Sequence, residues 1–183
     1  MRLHLPPSKA LSVLALVAIT SLAITTTSYS MGSGDKFVDA QTGLTFAVHK
    51  PTQTLGLKLS RFQLIVCAPG KEQWVYAKYG TGKKFLEIME TMAGDKCSNP
   101  GLSKSLTSII INKTRAQVHV YCDPTQPVAF KKCSASDISK VGGYLMFTTK
   151  PTKLLKATEI QVQGMGGVTY SQLILVAKNL KPL

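Results

Sequence analysis

The stretch "RFQLIVCAPGKEQWVYAKYGTGKKFLEIMETM", residues 61–92, decides the fold. Its apolar runs "RFQLIVC" (61–67), "QWVYAKY" (73–79) and "KFLEIMETM" (84–92) are separated by "APGKE" and "GTGK", whose Gly and Pro mark turns. Side chains alternate across a strand, so Trp74, Tyr76 and Lys78 share one face of the second run and Val75 and Ala77 the other. Short turns between such runs join antiparallel neighbours, because a parallel return needs a long crossover.

The same reading extends in both directions. Downstream, "SLTSIII" (105–111) and "RAQVHVYC" (115–122) flank the tight "NKT", after the long connection "AGDKCSNPGLSK". Two further strands follow, "YLMFTTK" (144–150) and "TEIQVQG" (158–164), with the basic loop "PTKLLKA" between them. Upstream, a strand is expected at 44–50, introduced by a Thr-Gly turn and stopped by Pro51. "SASDISKVGG" reads as a short helix or turn that Gly142-Gly143 ends.

The last element, "TYSQLILVAKNLKPL", is the clearest helix. Thr169 and Gln172 match a capping box, in which the hydroxyl and the amide satisfy free backbone donors. Tyr170, Leu173, Ile174, Ala177 and Leu180 then fall on one face. Lys178 and Lys181 suit the negative end of the helix dipole, and Pro182 prevents extension. The predicted class is α+β: an antiparallel sheet of hairpins packed by a C-terminal helix and a short helix, an α/β sandwich.

Residues 1–30 read as a secretory signal peptide. Arg2 and Lys9 precede an uncharged apolar run from Ala10 to Ile24, and Ser28-Tyr29-Ser30 supplies small residues for cleavage. That run is shorter than the roughly 20 residues a spanning helix needs. Cleavage leaves 153 of the 183 residues, 31–183, enough for a single secreted α+β domain with its own core. Arg2 and Lys9 depart with the leader, so 20 Lys and Arg remain against 9 acidic residues, a formal +11. Such a charge bears on solubility and partners, not on fold.

In an oxidising compartment an even number of cysteines points to disulfides. The four cysteines are Cys67, Cys97, Cys122 and Cys133, and none of their spacings is C-x-x-C, so no metal site is assigned. Cys122 with Cys133 closes a short loop, which leaves Cys67 with Cys97. On an up-and-down path from one strand to the next, all four thiols gather at one end of the sheet.

A catalytic set is hard to assemble from this sequence, and none is assigned. Of three histidines, His4 leaves with the leader. His49 and His119 fall on the more polar faces of their strands and are expected to be surface or half-exposed. Glu87 and Glu90 are three apart on a strand, so they point to opposite faces and form no dyad. Glu90 is expected at a frayed strand end. No phosphate loop, G-x-S-x-G or H-E-x-x-H occurs, no cofactor is implied and no nucleic-acid motif is present. Asn112-Lys113-Thr114 matches a glycosylation sequon, but Asn is also a favoured turn residue, and the turn reading is kept.

The succession "FVDAQTGLTF" (37–46), a proline-broken strand, the meander, "GGYLMFTTK" (142–150), "TEIQVQG" and the closing "TYSQLILVAKNL" helix resembles the PsbP-like α/β sandwich. It also resembles small secreted bacterial domains of unknown function. The resemblance implies an accessory or binding domain rather than a catalyst.

The leading expectation is thus a secreted, non-enzymatic binding or accessory domain of the cell envelope or extracellular space. Its candidate ligand-binding residues are Trp74, Tyr76, Lys78, His119 and Tyr121, aromatic and basic groups suited to an anionic polymer or a sugar-containing one. Another secreted protein is the other expected kind of partner. The alternative is a small secreted hydrolase using His119, with Asp123 as its neighbour in sequence.

Overall fold

A computed structural model describes residues 32–95, 97 and 101–183; the expected leader at 1–30 lies outside the described residues. In chain order the elements are α1 (Lys36–Gln41), β1 (His49–Pro51), β2 (Leu59–Val66), β3 (Gln73–Tyr79) and β4 (Phe85–Met92). Then come β5 (Lys104–Ser105), β6 (Ile109–Ile111), β7 (Thr114–Val120), α2 (Pro127–Lys132) and, after one 3-10 turn, α3 (Ile138–Val141). β8 (Gly143–Thr148), β9 (Thr158–Met165), α4 (Tyr170–Lys178) and β10 (Leu180–Pro182) complete the fold.

Eight strands form one antiparallel sheet in the order β2-β3-β4-β9-β8-β7-β5, with β6 also on β7, while β1 and β10 make a separate pair. The α+β class read from the sequence is the observed one. No described helix is long and apolar enough to cross a membrane.

α1, α3 and α4 pack on one face of the sheet. Val75, Ala77, Leu86, Ile88, Val118, Leu145, Ile160 and Val162 are buried there, with Leu173, Val176 and Ala177 of α4 over them. Thr169 accepts from the Gln172 backbone and the Gln172 side chain accepts from the Thr169 backbone, completing the expected capping box. Gly164 admits the helix, since a Cβ there lies 2.8 Å from Leu173 and 2.6 Å from Val168. Leu180, expected on the helix face, instead belongs to β10, because α4 stops at Lys178 and the chain turns out to pair with β1.

Residues 44–50 correct the sequence reading. Only His49–Pro51 is a strand, and Phe46 makes a single bridge to Lys156. Alternation fails because the segment lies between other elements: Leu44, Phe46, Ala47, Val48 and His49 are all buried. Its backbone is satisfied by side chains in place of a ladder. Gln41 donates to the Phe46 carbonyl at 3.0 Å and accepts from the Val48 amide at 2.7 Å, and Glu72 accepts from the Thr45 amide. Residues 105–111 also divide, into β5 and β6, where Gln117 donates to Leu106 O and Ser105 Oγ.

Both expected disulfides are present, Cys67–Cys97 with Cα atoms 5.4 Å apart and Cys122–Cys133 at 6.4 Å, and no cysteine is free. They do not share an end of the sheet. The row Leu59, Tyr79, Leu86, Gly164, Gly143 and Val120 lines one end, and Cys122 follows it. Cys67 follows Val66, which pairs with Gln73 at the opposite end. The chain leaves β4 at that end and re-enters as β5 at the other, since Lys104 pairs with Val120. That traverse of the sheet's length between β4 and β5 reverses the sense of every later strand.

Candidate functional site

The face opposite the helices is built by the alternate residues of the same strands. One row across it runs Arg61, Lys78, Glu87, Gln163, Tyr144, His119 and Ser105, each paired in register with the next. A second row runs Gln63, Tyr76, Met89, Gln161, Met146 and Gln117. All five sequence candidates lie on this face. Trp74, Tyr76 and Lys78 come from β3 near one edge, and His119 and Tyr121 from the β7 side, with β4, β9 and β8 between the two groups. All five are half-buried, so Trp74 is not part of the helix-covered core.

The β3 group is an aromatic corner tied to one carboxylate. Trp74 and Tyr76 meet edge to face at 6.2 Å between centroids. Tyr76 donates its hydroxyl to Glu87 Oε1 at 2.6 Å, and Lys78 Nζ donates to the same oxygen at 3.1 Å while lying 3.6 Å from the centre of the Phe85 ring. Burial, then the bond to Glu87, pushes the Tyr76 hydroxyl well above its usual range. Lys78 is therefore a neutralised cation. By strand alternation the face carries Arg61, Lys78 and Arg115 against Glu87 and Glu159, so it is close to neutral.

The β7 group is centred on Tyr144, which the sequence reading missed. Tyr144 is buried and stacks on His119 with centroids 4.5 Å apart and rings 3° from parallel, and the Tyr121 ring lies 5.6 Å from it, tilted by 40°. Ser103 Oγ lies 3.2 Å from His119 Nδ1 and 3.1 Å from the Tyr144 hydroxyl. Tyr121 donates to Gln163 Oε1 at 2.9 Å. Burial lowers the His119 pKa from its ordinary 6.5 and raises those of Tyr121 and Tyr144. The available signal was the alternation of Tyr144, Met146 and Thr148 along "YLMFT", but it needs the pairing of β7 with β8 to matter.

Asp123 does not partner His119. Its carboxylate accepts from Thr125 and Gln126 in the turn after β7, which holds it below the usual carboxylate range. Among the described residues the ring of His119 has Ser103 as its side-chain hydrogen-bond partner, and no carboxylate orients it.

The other histidine overturns its expectation. His49 is 6% exposed and Glu90 fully buried, both on the helix face. The His49 amide donates to Glu90 Oε2 at 2.7 Å, and His49 Nδ1 lies 3.4 Å from the same oxygen. Glu90 is thus no frayed strand end; it pairs with Ile160 of β9 in the middle of the sheet. Desolvation raises its carboxyl pKa, and Oε1 has no partner among the described residues. As expected, Glu87 and Glu90 face opposite ways.

Comparison with protein-family models, curated proteins and solved structures finds no match to the chain.

Proposed function

We propose that this chain is a secreted, non-enzymatic binding domain of the PsbP-like kind, acting in the cell envelope or outside the cell, and that its helix-free face takes a sugar-containing polymer. The observation that carries this reading is the gathering of Trp74, Tyr76, Lys78, His119 and Tyr121 on one face, joined through Gln161, Gln163 and Tyr144. Aromatic rings stack on the apolar faces of sugars, and amides bond their hydroxyls. Near-neutrality favours stacking over charge as the local recognition. The excess of lysine elsewhere on the chain draws anionic glycans in preference to neutral ones. The two disulfides and the signal-peptide pattern support the extracellular setting.

The test is retention on an immobilised anionic polysaccharide, polygalacturonate, at several salt concentrations. Native protein is retained at low salt and released as salt screens the charges. Trp74→Ala, shown folded by circular dichroism, binds about threefold to tenfold more weakly at every salt concentration, the range expected for one lost aromatic contact. Equal retention of the two folded proteins defeats the reading.

A hydrolase remains the second reading on one observation, the 3.2 Å approach of Ser103 Oγ to His119 Nδ1. It requires a serine whose proton the imidazole takes. Labelling of Ser103 by a fluorophosphonate, lost on His119→Ala, is its signature.

A further inference from the structure

A separate pocket opens on the helix side of the sheet, at the end away from Cys122, between the β1–β10 pair and the β6–β7 hairpin. Its volume is about 290 Å³. That lies at the lower limit of small-molecule sites, roughly 300 Å³, so a single ring or a short chain fills it. Ile111, Phe147 and Leu180, all buried in the fold, supply an apolar lining. His49 also lines the pocket, and since Nδ1 is occupied by Glu90, Nε2 is the ring nitrogen left for an occupant.

The polar rim is basic. Lys113 and Lys150 both line the pocket, both are exposed, and among the described residues neither takes part in an ion pair or a side-chain hydrogen bond. Lys113 sits in the turn between β6 and β7, and Lys150 lies two residues beyond the end of β8, so both come to the rim from chain segments that leave the strands. The turn that presents Lys113 is itself costly, with φ of 47° at Asn112 and 67° at Lys113. Two cations at the rim of an apolar floor define a complement: an anionic head on a small apolar body.

We propose that this pocket binds a short-chain or single-ring carboxylate, its carboxylate between Lys113 and Lys150 and its apolar part against Ile111, Phe147 and Leu180. The polymer face and this pocket are independent, since they lie on opposite sides of the sheet.

The probe is hexanoate, with hexanol as its uncharged counterpart, titrated into the isotopically labelled protein and followed by amide NMR shifts. Hexanoate is expected to move the amides of residues 111–114, 147–150 and 180–182 in a saturable way. Lys113→Ala/Lys150→Ala changes only exposed side chains, so the fold is kept. It weakens hexanoate by about fivefold to tenfold, as the loss of two surface charge interactions predicts, and leaves hexanol unchanged. Trp74→Ala leaves hexanoate binding intact. Equal binding of hexanoate and hexanol by the native protein, unaltered hexanoate affinity in the double variant, or shifts confined to Trp74 and its neighbours each overturn the proposal.

Discussion

The two faces of the eight-stranded sheet are made by the same strands and obey opposite rules. On the helix side, Val75, Ala77, Leu86, Ile88, Ile160 and Val162 meet α1, α3 and α4, and the carboxyl group admitted there, that of Glu90, is wholly enclosed with His49 beside it. On the other side, Trp74, Tyr76, His119 and Tyr121 stay half-buried, and their polar atoms bond one another or Glu87, Ser103 and Gln163. The first face is specified by exclusion of water, where a lost methyl group costs stability. The second is specified by directional bonds among groups that also meet solvent, where, on the proposed binding function, a lost group costs recognition. Each strand holds one residue type for each task because its side chains alternate.

The largest expected effect lies on the helix face. Leu173 is fully buried between α4 and β9, so Leu173→Ala lowers stability by about 2 to 5 kcal/mol through lost burial and the cavity left behind. Urea unfolding measures this. An unchanged midpoint abolishes the contrast between the faces. Trp74→Ala, by comparison, acts mainly on retention of the polymer.

Next in size are the two disulfides, which fasten ends of the sheet rather than faces. Cys67–Cys97 spans 30 residues and Cys122–Cys133 spans 11. Loop-closure entropy assigns about 3.5 kcal/mol to the longer loop and about 3 kcal/mol to the shorter. Paired Cys→Ser variants unfolded in urea give the two values separately. A larger loss from the shorter loop indicates that α2, which buries no residue of its own, depends on Cys133 for more than chain entropy.

The finest distinction is one of sign. Burial raises the Glu90 pKa above its ordinary 4.5, so as pH rises the unfolded chain gives up this proton first. Stability fully present below 4.5 is then lost as pH climbs toward the folded value. His119 is lowered from 6.5, so as pH falls the unfolded chain takes up the proton first. Stability present above 6.5 is lost as pH drops toward the folded value. Unfolding midpoints across this range separate the two: Glu90→Gln removes the loss on the rising side, and His119→Gln the loss on the falling side. A profile unaltered by both variants means that neither face titrates as its burial requires.

Local pattern in the sequence determined a good deal of this protein. It placed β3 at 73–79, matched the strands from β7 to β9 within two residues, found the Thr169–Gln172 cap and paired the cysteines. It also set Trp74, Tyr76 and Lys78 on one side of β3, and His119 and Tyr121 on one side of β7. These are properties of neighbouring residues, because strand alternation, capping and short loop closure are settled within a few positions. Only the tertiary structure decided the order β4-β9-β8-β7, which puts the two groups of candidates on a common face and sets Tyr144 against His119. It alone decided that the connection after β4 traverses the sheet, sending the disulfides to opposite ends. It also set His49 beside Glu90, 41 residues away, and brought Lys113 and Lys150 to the rim of one pocket. The physical reason is that a strand's alternation is the same whichever way the chain runs and whichever strand lies beside it. Direction and partner are chosen by the burial of the whole sheet against its helices, a sum over distant residues that no short window contains.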